Sequence, residues 1–203
     1  MPSKKILPQT TVRGYRDQHV RHADELSFQV VVGETDLWVA AQKDLSREVS
    51  LLAAKLRGEI QAYTALDPNF RTSFVPINVS KNAPEVVRRM AAGARLAGVG
   101  PFAAVAGTIA QMITEELEAI SPEMVVENGG DIYIIGRRER VVGLLPDLDN
   151  DALLGLRIPA KALPLAICSS SARIGHSLSF GQGDLATVLA PDGSFADAAA
   201  TAL

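Results

Sequence analysis

The chain has 203 residues, 47% hydrophobic and 21% charged, with a net charge of −3. This is the composition of an ordinary globular protein large enough to bury a core without staples. It excludes a basic nucleic-acid-binding surface, because Lys and Arg are scattered rather than striped, and an internal disulfide, because Cys168 is the single cysteine. The most apolar stretch, residues 98–113, holds Pro101 and falls short of the ~20 residues a bilayer span needs. Met1-Pro2-Ser3-Lys4-Lys5 leads into no apolar run of the kind a signal peptide uses, so a cytoplasmic protein without a membrane partner is expected.

In chain order, residues 26–32 and 36–41 read as strands flanking a Gly33-Glu34-Thr35 turn. Asp44 caps a helix running to about residue 65, with Leu45, Val49, Leu52, Leu56, Ile60 and Tyr63 on one stripe. Asp67-Pro68-Asn69 ends it. A strand is expected near residues 72–79. Pro84 suits the first turn of a second helix, ending near Gly98. Gly100-Pro101 opens a third, over about 102–119, whose small first half lets another backbone or a ligand approach closely. The pattern then turns to β, with strands expected at 124–127, 131–135, 141–145, 153–158, 165–168 and 185–190. Between two of them Arg137-Arg138-Glu139-Arg140 reads as a solvated turn. Ser194 begins a last helix in which the chain stops at Leu203, as a very short helix or one with a missing tail. With no repeat and no linker-like composition, one α+β domain over residues 1–203 is expected: antiparallel sheet layers packed against two or three long helices.

Three places carry candidate chemistry. Asn128-Gly129-Gly130-Asp131 suits a hairpin turn, because Asn-Gly tolerates positive φ, and equally a ligand-facing loop whose amides approach a phosphate. Asp197 and Thr201 are four apart, which on a helix sets two hard oxygen donors on one face, fit for a cation such as magnesium. The competing account of Asp197 is a capping box with Ser194. His176, between Gly175 and Ser177, is either a site or a surface histidine. Cys168 ends an apolar run and reads as a buried strand residue, and Trp38 as a core anchor. The three histidines do not fall in a metal-ligand spacing. No dinucleotide-binding glycine motif, Walker loop or nucleophile elbow is present.

The order of these motifs resembles the ApbE family of FAD:protein FMN transferases. It comprises the Ala/Gly-rich helix start 100–107, Glu127-Asn128-Gly129-Gly130-Asp131, Ser169-Ser170 through Gly175-His176-Ser177, and Asp197-x-x-x-Thr201. The small, soluble branch of that superfamily is the nearer match. The likeness covers most of residues 98–203 and is weak before them. It implies a magnesium ion held by Asp197, Thr201 and a backbone carbonyl at Ala106, bridging the pyrophosphate of FAD. It implies nucleotide contacts from Asn128, Gly129, Gly130, Asp131, Ser170 and Ser171, and a catalytic role for His176. The transferases follow that histidine with Asp-Pro-x-Thr-Gly, where this chain has Ser177-Leu178-Ser179-Phe180-Gly181. The expected partner is a small phosphorylated ligand, a flavin nucleotide with Mg2+, with pyrophosphate cleavage or FMN transfer as the chemistry. A sulfur-assimilation role in homocysteine formation and a non-catalytic adaptor on the same scaffold are the alternatives. The Ala-rich helix face would suit a homodimer.

Overall fold

The structure, a computed structural model, describes residues 21–144, 154–171 and 179–203. Strands β1 (Leu26–Val32) and β2 (Thr35–Ala41) form the first hairpin, turning at Gly33 with φ 58°. Helix α1 (Ser46–Leu66) follows; its N-cap is Leu45 and not the expected Asp44, whose carboxylate accepts the Ser46 amide at 3.0 Å from just before the helix. Its stripe buries Val49, Ala53, Leu56 and Ile60. Helices α3 (Glu85–Ala97) and α4 (Val105–Leu117) come next, then strands β3 (Met124–Asn128) and β4 (Asp131–Ile135). A ribbon of β5 (Arg140–Leu144) and β6 (Leu154–Ile158), strands β7 (Leu165–Ser170) and β8 (Ala186–Ala190), and helix α5 (Gly193–Ala202) complete the described elements. The expected strands at 141–145 and 153–158 each lose one terminal residue, Leu145 and Leu153, to the stretch outside the described residues.

Six strands make one sheet, antiparallel at every pairing, in the order β1-β2-β3-β4-β7-β8. The expected α+β architecture is therefore present. Alternation of side chains splits the core in two. Tyr133 and Ile135 of β4 join Val126, Ile109, Ile113 and Ala198 in the large cluster under the helices. Ile132 and Ile134 point the other way, into a smaller cluster with Val142, Ile158, Leu165 and Ile167 that the β5–β6 ribbon covers. Strand β4 is thus buried on both faces along its whole length.

Three further expectations change. Residues 72–79 form no strand: α2 (Asn69–Thr72) is a single helical turn, and the chain then runs extended without pairing. Pro76 within this stretch lacks the amide a ladder needs. The helix expected over 102–119 is broken. Pro101–Ala104 form a tight 3-10 turn, Ala104 leaves helical dihedrals (φ −115°, ψ 8°), and α4 starts afresh at Val105. The break matters, because an unbroken helix would spend the amides of Ala106 and Gly107 on its own ladder, whereas a new N-terminus leaves them for Asp197. Finally, Arg140 is not in a solvated turn. It is 3% exposed and ion-paired to Glu25 and Glu123.

Helices α4 and α5 cross backbone against backbone at two glycines. A Cβ added at Gly107 would lie 2.3 Å from the Gly193 carbonyl oxygen and 2.8 Å from the Asp197 Cβ. Neither neighbour is the loose end of a side chain, so the helices would have to separate. Gly107→Ala is expected to cost about 1–3 kcal/mol, read as a lower urea midpoint at unchanged slope. Gly58→Ala is the control. It sits on the exposed side of α1 with nothing near its added carbon, and it should gain up to about 1 kcal/mol.

Candidate functional site

The crossing of α4 and α5 is closed by reciprocal caps. Gln111 of α4 accepts the Gly193 amide at 2.7 Å, and Asp197 of α5 accepts the Gly107 amide at 2.8 Å. Each helix thus supplies a side-chain oxygen to the unpaired first turn of the other. Thr108 Oγ1 and Ser194 Oγ meet 2.9 Å apart between them. The cap of α5 itself is Asp192, whose carboxylate accepts the Phe195 amide at 2.8 Å. The Ser194–Asp197 capping box is therefore not formed. Asp197 is directed away from its own helix start, toward Ala106 and Gly107.

The sheet delivers the remaining groups to the same place. Asn128 and Asp131 face each other across the β3–β4 hairpin, whose two central residues, Gly129 and Gly130, have φ of 69° and 105°. Positive φ at both is what a two-residue turn matching strand twist demands. Glu127 secures it by accepting the Gly130 amide at 2.7 Å. The Asn128 amide donates to the Ala106 carbonyl at 3.2 Å, tying the hairpin to the start of α4. Asp131 pairs in register with Cys168 of β7, and Ser170 and Ser171 extend beyond that pair at the same end of the sheet. Thr201 lies one turn after Asp197, and both are 8% exposed. Asn128, Asp131, Ala106 and Asp197 are brought together. Gly129, Gly130, Ser170 and Ser171 frame the sheet end beside them. His176 falls outside the described residues, so its position is not part of this geometry.

The electrostatics are those of two acids taken out of water together. Burial pushes the Asp197 carboxyl up to about 7, against the pull of the Gly107 and Ala106 amides. Burial, and then the charge of Asp197, push Asp131 well above the ordinary carboxylate range, opposed by contacts from Cys168 and Ser169. Asp131 Oδ1 is buried and has no hydrogen-bond partner. Burial, followed by the charges of Asp131 and Asp197, also pushes the Cys168 thiol well up, so it is a packed thiol rather than a thiolate nucleophile. Among the described residues no three His, Cys, Asp or Glu side chains converge as a metal-binding group. A cation here would rely on a mixed set of carboxylate, hydroxyl and carbonyl oxygens, the donors a hard ion such as magnesium takes.

The sequence singles out Asp197, Thr201, Asn128 and Asp131 as candidates. It misses Gln111 and the pairing of Asp131 with Asp197, which link residues 82 and 66 positions apart through the fold alone.

A family model described as AbpE bacteria matches residues 18–203. The chain belongs to this family. Its relatives are described as UPF0280 proteins. A UPF0280 protein of Methanopyrus kandleri is 42% identical over 180 residues, 87% of this chain and 72% of the relative. Another, of Methanocella arvoryzae, is 46% identical over 150 residues, 73% of this chain and 61% of the relative's own length. Among solved structures, the apo flavinyl transferase ApbE of Pseudomonas stutzeri superposes with a TM-score of 0.59 at 11% identity, over 88% of this chain and 83% of that one. The flavin transferase ApbE of Vibrio cholerae does so at 0.55 and 14%, over 89% and 86%. At such identities the likeness establishes a shared ApbE-like fold. Among the described residues, no single helix of this ApbE-like chain is long and apolar enough to cross a membrane.

Proposed function

We propose that this protein binds a flavin nucleotide, FAD in the first instance, with a magnesium ion held by Asp197, Thr201 and the Ala106 carbonyl beside the nucleotide's pyrophosphate. The observation that carries the reading is the buried Asp197 carboxyl. It has left its own helix start and lies, beside a second buried acid, where α4 begins. An acid kept out of water without a salt-bridge partner is costly, and a cation is what removes the cost. Bound there, magnesium would supply charge neutralisation for a pyrophosphate. Asn128 holds the Ala106 carbonyl in place. Gly129 and Gly130, with no side chains in the way, let the nucleotide reach the hairpin backbone, and Ser170 and Ser171 offer hydroxyls at its side. His176 is the residue assigned to move the proton, as acid or base.

FAD affinity should rise on adding magnesium. In Asp197→Ala that dependence should vanish, with a loss of at least about tenfold in affinity at saturating magnesium, or about 1.4 kcal/mol. Fluorescence titration of FAD with and without the ion measures both. Equal affinities for the two proteins, each blind to magnesium, would end the metal-site reading.

A further inference from the structure

We infer that Asp131 is itself a ligand of the divalent cation, a second carboxylate on the ion beside Asp197, and not a contact to the nucleotide. The inference rests on the metal reading above and extends it to the hairpin. Its first support is direction. Strand β4 alternates, with Ile132 and Ile134 in the cluster beneath the ribbon and Tyr133 and Ile135 in the cluster beneath the helices. Asp131 shares the phase of Tyr133 and Ile135, so it faces the helices. Its cross-strand neighbours agree: Asn128 reaches the Ala106 carbonyl, and Cys168 lies 3.9 Å through its sulfur from the Gly193 carbonyl at the start of α5.

The second support is the unpaired atom. Asp131 is 8% exposed, and Oδ1 has no hydrogen-bond partner. Buried carboxyl oxygens are almost always satisfied, so an orphan marks a missing donor or cation. The third is charge. Two carboxylates in one dry space repel a phosphate and attract a cation between them. Asp131 therefore cannot favour direct contact with a pyrophosphate unless the ion stands between them. Carboxylates from a strand and a helix, with a hydroxyl and a carbonyl, give four oxygens from three elements, as hard divalent ions prefer.

The test uses Mn2+ as a spectroscopic stand-in for magnesium, with no flavin present. Free Mn2+ is followed by electron paramagnetic resonance during titration of wild type, Asp197→Ala and Asp131→Asn. Asp131→Asn keeps shape and volume, so it should fold with an unchanged or higher melting temperature while its Mn2+ affinity falls at least tenfold. If Asp131→Asn binds Mn2+ as wild type does while Asp197→Ala does not, Asp131 is no ligand and the metal reading stands without it. If wild type binds no Mn2+, both fall. A crystal of wild-type protein soaked in Mn2+ gives an answer independent of any variant. An anomalous peak about 2.1 Å from Asp131 Oδ1 is expected. A peak bonded to Asp197 and Thr201 but well outside that reach would overturn the assignment.

Discussion

Replacing Arg140 with Ala is expected to lower the unfolding free energy by about 3–5 kcal/mol, because it strands two buried carboxylates at once. Arg140 donates to Glu25 Oε2 at 2.7 Å and to Glu123 Oε2 at 3.2 Å, and the Glu25 side chain is fully buried. Burial pushes the Glu25 carboxyl up; the guanidinium and the His22 amide more than offset it and hold the group below its ordinary range. Glu123 is the pivot. Its other oxygen accepts the Arg137 amide at 2.8 Å, fixing the turn between β4 and β5. One guanidinium thus joins the chain before β1, the start of β3 and the ribbon. Arg138 is the milder member of the same network. Its short pair, to Asp24 at 2.8 Å, is open to solvent, and its contacts to Glu25 and Glu123 are long at 3.4 Å, so Arg138→Ala should cost clearly less than Arg140→Ala. Urea unfolding of the two variants side by side decides the matter. A loss at Arg140 as small as that at Arg138 would mean the ribbon does not depend on the buried pair.

The metal-free protein should grow less stable as pH rises from about 4 to about 7, the reverse of ordinary acid denaturation. The sign follows from Asp197. Its folded value of about 7 lies above the ordinary 3.8, so across that interval the native state holds a proton the unfolded chain has released. Stability then falls across that interval as the native state gives up the proton it alone had kept. The upward direction of Asp131 adds to the trend. Glu25 acts oppositely but lower. Its depressed value gives stability that is present above the ordinary 4.5 and lost as pH falls through the folded value. The optimum of the metal-free protein should therefore lie near pH 4–5. Thermal melts from pH 4 to 8 for wild type and Asp197→Asn test this. The variant should be flatter across the interval and more stable than wild type at pH 8. Saturating Mg2+ should remove the decline, because the ion competes with the proton for the same oxygens. A wild-type profile rising steadily from pH 4 to 7 without metal would contradict the buried-acid description.

Much of the fold was legible in the sequence, because its strongest signals are local. The Asn128-Gly129-Gly130-Asp131 turn reads as a hairpin from its glycines, and the stripe of α1 follows from spacing alone. What the sequence hid depends on distant partners. Asp192-to-Phe195 and Ser194-to-Asp197 have the same spacing, so either pair satisfies a capping pattern. Ser194 is buried against Gly93 of α3 with its hydroxyl turned to Thr108 of α4, and Asp192 takes the role. Arg140 lies in a run of charges that reads as solvated, and its partner is 115 positions away. The stretch at 72–79 has strand-like residues, but pairing is a property of two chains and Pro76 lacks the needed amide. The candidate site was half legible. The spacing of Asp197 and Thr201 marks a shared face, but only the fold brings Asp131 to the same face and shows that Asp197 serves a helix other than its own.

That exchange of caps has a consequence for how the molecule opens. Neither α4 nor α5 can fray at its start without stripping an amide partner from the other, so the two behave as one cooperative unit and open together or not at all. The proposed ligand cradle is therefore built on an interlocked joint. A nucleotide bound there would meet the two helices as a fixed anvil.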